Sequence, residues 1–218
     1  MDKIRRVLQV WFPMLILLGV TKQISTAKGI TLRQLMLDPT KVMGVPFYIG
    51  IVADIGLLLW AATVSICLFI SISLAQWVSK AWRNFFLVSG LLTIFLLLDD
   101  LLRIHDEIFP VYLGIRGDVL GIVYVLLVFL YLLRFRTLIF EQSYGFLVVA
   151  LGFFAISVAI DVAPTALKAQ FVTRDVLLWE DGAKLLGIAN WLAYFVYLSA
   201  SVLGKVNLEL SRPSVHEA

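Results

Sequence analysis

Long, uninterrupted apolar runs narrow what this chain can become more than any other feature. A bilayer core of roughly 30 Å is crossed by about 20 apolar residues in a helix, and only helices and closed barrels satisfy their backbone polar groups in lipid. The runs here are continuous rather than alternating, which selects helices over barrel strands. Composition agrees: 61% of residues are hydrophobic and 15% charged, against about 45–50% and about 25% in a soluble domain. The chain therefore reads as an all-α integral membrane protein.

Six spans are expected, at approximately 5–21, 47–75, 84–109, 118–135, 144–163 and 176–203, forming one transmembrane bundle over residues 1–218 with short loops. The first carries an alternative. Lys3, Arg5 and Arg6 ahead of a short apolar run, followed by Ser25-Thr26-Ala27, also read as a signal peptide with its cleavage site, which leaves five spans.

Lysine and arginine set orientation through the loops that hold them. With the N-terminus cytoplasmic, nine fall inside: Lys3, Arg5, Arg6, Lys80, Arg83, Arg134, Arg136, Lys205 and Arg212. Seven fall outside, at Lys22, Lys28, Arg33, Lys41, Arg116, Lys168 and Arg174. Both termini are therefore expected to be cytoplasmic. The net charge of +3 is explained by these loops and calls for no nucleic-acid partner.

The alternation of spans then places every acid in or near them at one membrane depth, on the non-cytoplasmic side. Asp54 opens the second span; Asp99, Asp100, Asp106 and Glu107 close the third; Asp161 closes the fifth; Glu180 and Asp181 open the sixth. Charges inside membrane segments face a bundle interior or an aqueous cavity and pair with one another. At about 100° per residue, Asp99, Asp100, Arg103, Asp106 and Glu107 share a third of one helix circumference. His105 falls on the far side, unless the helix unwinds ahead of Pro110, since proline disfavours helix in the residue before it.

In the sixth span Glu180, Lys184, Gly187, Trp191 and Tyr194 form one stripe, with Glu180 and Lys184 in the favourable i, i+4 order for an ion pair. The stripe either lines a cavity or packs helices closely at Gly187. Eight carboxylates face only two cations, Arg103 and Lys184. Such an excess of acid has few uses: oxygen ligation of a divalent cation, or proton holding by crowded, desolvated carboxyls.

The leading expectation is accordingly a pocket that binds and passes cations or protons. Asp99, Asp100 and Glu180 are its primary ligands and candidate metal ligands, Asp54 and Asp161 its second tier, and Arg103 and Lys184 its counter-charges. His105, Asp106, Glu107 and Asp181 are further candidates. A divalent cation is the one cofactor this chemistry suggests.

An enzyme is the alternative. Asp99-Asp100-Leu101-Leu102-Arg103 resembles the aspartate-rich motif with which prenyl-transfer enzymes bind magnesium diphosphate, although Arg103 stands where that motif has an acid. The resemblance implies a lipid or prenyl substrate. A third reading makes the acids a clasp between helices in a small subunit of a larger membrane complex, or in a homo-oligomer. Membrane lipids are the expected surroundings in every case. The lone Cys67 cannot form an internal disulfide.

Overall fold

A computed structural model describes residues 2–73, 75–115, 117–162 and 176–210. Every regular element among them is helical. The chain divides into two compact units, residues 1–51 and 52–218.

The first unit holds α1 (Asp2–Lys28), α2 (Leu32–Met36) and α3 (Pro39–Met43). Its two short helices are set by local chemistry. Thr31 caps α2 with a reciprocal box: its hydroxyl oxygen accepts from the Gln34 N–H at 3.3 Å, and its own N–H donates to Gln34 Oε1 at 3.0 Å. Asp38 caps α3, Pro39 supplies the first helical φ, and Gly44 ends the helix in the left-handed conformation at φ 70°. The Thr40 hydroxyl and N–H both donate to Asp38, holding its carboxyl below the usual range.

The second unit holds α4 (Ile51–Ser73), α5 (Lys80–Leu102), a π-helix (Ile104–Leu113), α6 (Gly117–Phe140), α7 (Gly145–Asp161) and α8 (Val176–Leu210). Among the described residues, four helices have the length and apolar composition to cross a membrane: Ile51–Ser73, Lys80–Leu102, Val119–Phe140 and Leu178–Gly204. The helix Gly145–Asp161 is apolar but shorter. The chain is thus helical and suited to a membrane, with four of the six expected spans meeting the criterion of length and composition.

The core is aromatic. Trp60, Phe85, Phe86, Tyr131, Trp191, Tyr194 and Phe195 are all buried, and rings from α4, α5, α6 and α8 meet at centroid distances such as 5.2 Å for Phe85–Phe135 and 5.4 Å for Trp191–Phe195. Between lipid and protein there is no hydrophobic driving force, so the packing of such faces carries the association. Two glycines let helices close in. A Cβ at Gly90 in α5 would lie 3.1 Å from Leu68 of α4, and one at Gly187 in α8 would lie 2.6 Å from the Phe154 ring of α7. Phe154 in turn stacks on Trp60 at 5.8 Å. Gly187, Trp191 and Tyr194 therefore belong to the packed core, and the cavity-lining version of their stripe is replaced by the packing one.

The third expected span, 84–109, breaks in the middle. α5 stops at Leu102, and Arg103 takes the left-handed conformation at φ 51°, ψ 46°, the only non-glycine residue with positive φ among the described residues. A π-helix then carries the chain past Pro110. Proline clashes with the preceding turn of an α-helix, and widening the helix ahead of it relieves that clash.

Candidate functional site

The break at Arg103 decides which side chains meet. Asp99, in the last turn of α5, is buried with its side chain only 5% exposed. Its Oδ1 accepts from the Tyr124 hydroxyl of α6 at 2.6 Å and from the His105 backbone N–H at 3.1 Å. Its Oδ2 accepts from His105 Nδ1 at 2.6 Å. One carboxylate therefore caps the new helix, anchors the imidazole and ties in a third helix.

The other ring nitrogen of His105, Nε2, faces Asp106 Oδ1 at 3.2 Å. Ionised carboxylates only accept hydrogen bonds, so an imidazole between two of them is best satisfied as the doubly protonated cation. His105 thus bridges a buried carboxylate and an exposed one, the Asp106 side chain being 57% exposed.

Asp100 makes a separate set of contacts. Its Oδ1 meets Lys184 Nζ of α8 at 2.5 Å, and its Oδ2 accepts from the Trp60 indole N–H of α4 at 2.9 Å. The side chains are 15% exposed for Asp100 and 37% for Lys184. Charge-assisted bonds of this kind are shorter and stronger than neutral ones. Asp99 and Asp100, adjacent in sequence, thereby connect α4, α5, α6, α8 and the π-helix at one level.

Several sequence expectations change here. Arg103 is not an inner counter-charge: it lies outside, paired with Glu107 at 3.1 Å, with side chains 65% and 51% exposed. The left-handed turn swings it away and brings His105 into the place a continuous helix would have denied it. Lys184 meets Asp100 of another helix. Asp54 is exposed in the first turn of α4, without a hydrogen bond or ion pair among the described residues. Asp161 and Asp181 are exposed, and Glu180 is half-buried at the start of α8. Arg116, Lys168 and Arg174, used for orientation, lie outside the described residues. Among the described residues no three His, Cys, Asp or Glu side chains converge as metal ligands. Tyr124 and Trp60 were not foreseen. Neither carries a local signal, because each meets the site only through the packing of a distant helix.

The Asp99 hydrogen bond raises the pKa of His105 above its ordinary value of 6.5, assisted by the charges of Asp99 and Asp106 and opposed by burial and by Lys184. A group that binds its proton more tightly when folded stabilises the fold fully below its unfolded pKa, and loses that contribution as pH rises through the folded value. The unfolding midpoint is therefore expected to fall as pH rises above about 6.5 and through the raised folded pKa. A pH series of thermal unfolding checks this, with His105→Gln flattening the curve. A wild-type midpoint unchanged over that window would refute it.

A sequence model for a family, described as a domain of unknown function (DUF8692), matches residues 10–198. No curated protein and no solved structure gives a significant match.

Proposed function

The chain belongs to the DUF8692 family, and we propose that it binds and passes protons in a membrane, through the Asp99–His105–Asp106 series. One observation carries the reading: a single imidazole has its two nitrogens directed at a buried and an exposed carboxylate. That is the arrangement a proton step from water into a bundle requires. The Nε2–H bond breaks, its electron pair stays on the ring, and the Asp106 carboxylate takes the proton and passes it to water; the reverse sequence recharges the site. Intramembrane acids and histidines commonly form such relays.

The cation version is less well supported. Asp99 and Asp100 are already occupied by His105 and Lys184, and the lysine repels a second cation. In the orientation proposed here, with both termini cytoplasmic, the exposed end at Asp106 faces the non-cytoplasmic side and lipid surrounds the bundle. A structural reading is favoured by a different observation, the Asp100–Lys184 pair with Trp60, which fastens three helices and leaves no group free to exchange. The two readings fit together as a moving proton beside a fixed clasp.

Reconstitution into vesicles loaded with a pH-sensitive dye tests the function. Wild type is expected to dissipate an imposed pH gradient, while His105→Ala and Asp99→Asn slow it by about tenfold or more, in the range removed with a positioned acid–base group. Glu180→Gln is expected to change it little. Equal rates for wild type, both site variants and empty vesicles would sink the proposal.

A further inference from the structure

Asp99 accepts three hydrogen bonds on its two oxygens. Oδ2 takes His105 Nδ1 at 2.6 Å, while Oδ1 takes the His105 backbone N–H at 3.1 Å and the Tyr124 hydroxyl at 2.6 Å. Two of these donors belong to the residue that carries the mobile proton, and the third comes from a separate helix, α6. The Tyr124 ring is held in place. Phe95 of α5 meets it edge-on at 5.4 Å and 81°, and the His105 ring meets it edge-on at 6.2 Å and 85°. The residue is half-buried, so water competes only in part for its hydroxyl.

Donors that share one carboxylate compete, because each draws negative charge toward itself and leaves less for the others. The competition differs between the two states of His105. Beside the imidazolium the charge of Asp99 is already matched; beside the neutral ring it is not, and the Tyr124 bond is then the stronger one. Tyr124 therefore favours the state in which His105 has released its proton. The other charged groups facing the imidazole are Asp106 of the π-helix, which holds the proton, and Lys184 of α8, which opposes it. The Arg103–Glu107 pair lies exposed beyond them.

We propose that Tyr124 is a positioning residue of the proton site: its hydroxyl pins the Asp99 carboxylate and eases release of the His105 proton toward Asp106. This role rests on the proton-passing function, whereas the influence of the hydroxyl on the imidazole follows from the geometry alone.

The titration of His105, followed by NMR of the imidazole in the full-length protein, distinguishes tuning from packing by its sign. Tyr124→Phe keeps the ring and its edge contacts and deletes the donor. The His105 pKa is expected to rise by about half a unit, the scale of one hydrogen bond partly replaced by water. A tyrosine that only holds α6 in place predicts the opposite, since a loosened Asp99–His105 bond lets the pKa fall back toward 6.5. 3-Fluorotyrosine at position 124 is the second variant. Its hydroxyl is more acidic and donates more strongly, so the pKa is expected to fall while the fold is kept. Opposite shifts in the two proteins support the role; no shift, or shifts of the same sign, overturns it. In dye-loaded vesicles Tyr124→Phe is expected to slow proton release about threefold, the ratio equivalent to half a pKa unit. Wild-type vesicles that move no protons, with both shifts present, would count against the proton function and not against the Tyr124 bond. Wild-type flux that neither variant alters, with no shifts, would overturn the role of Tyr124 alone.

Discussion

Asp100→Ala is expected to lower stability by about 2–3 kcal/mol, because it leaves the Lys184 ammonium in the bundle without its counter-charge. Removing one partner of a fully buried pair costs more than this, but the Lys184 side chain is 37% exposed, so water recovers part of the loss. The Trp60 indole N–H loses its acceptor in the same step. Lys184→Met alone is expected to cost as much or more, since it leaves the less exposed Asp100 carboxylate in the last turn of α5 with only the Trp60 N–H as partner. The double variant Asp100→Ala, Lys184→Met should recover much of the single Asp100 loss, as replacing a buried pair by apolar groups is often near neutral. Reversible unfolding in detergent, run as a double-mutant cycle, reads all three values. A single Asp100→Ala change costing under ~0.5 kcal/mol, as for an exposed pair, would mean that the ion pair does not hold the helices.

Asp99→Asn is the more informative substitution, because it preserves shape and removes only charge. Oδ1 keeps its bonds from Tyr124 and from the His105 backbone. The position of Oδ2 becomes either an amide donor or a neutral acceptor against His105 Nδ1, so the charge-assisted bond is lost. Such bonds contribute about 1.5–3 kcal/mol, and that range is the expected destabilisation at pH 6. As pH rises through the raised pKa of His105 and the wild-type histidine gives up its proton, the gap between variant and wild type should shrink. The His105 pKa, followed by NMR of the imidazole, should drop in Asp99→Asn and change much less in Asp106→Asn. An unchanged His105 titration in Asp99→Asn would show that the buried carboxylate does not hold the proton.

These two neighbours show how far a sequence can be read. Asp99 and Asp100 were both recognisable as misplaced charge, since an acid in an apolar run is expensive unless it is paired or reaches water. Lys184 was recognisable for the same reason. Their pairing was not. A helical wheel assigns partners on the assumption of an unbroken helix, and on that basis it gave the inner place to Arg103 and placed His105 on the far side. Pro110 marked a disturbance, but not whether the chain would kink, stop or widen. The left-handed turn at Arg103 and the π-helix behind it exchange the two residues. That choice depends on whether the bonds from His105 and Tyr124 to Asp99 outweigh a strained backbone, a balance that exists only when α6 is in place.

The helical class and the suitability for a membrane followed from the sequence alone, because they depend on sums over many residues: apolar length and charge count. The division of two adjacent aspartates between a histidine and a lysine depended on tertiary structure. So did the recruitment of Tyr124 and Trp60. Each is a contact between helices far apart in the chain, fixed within a few tenths of an ångström by the packing of aromatic rings, and no local pattern records such distances.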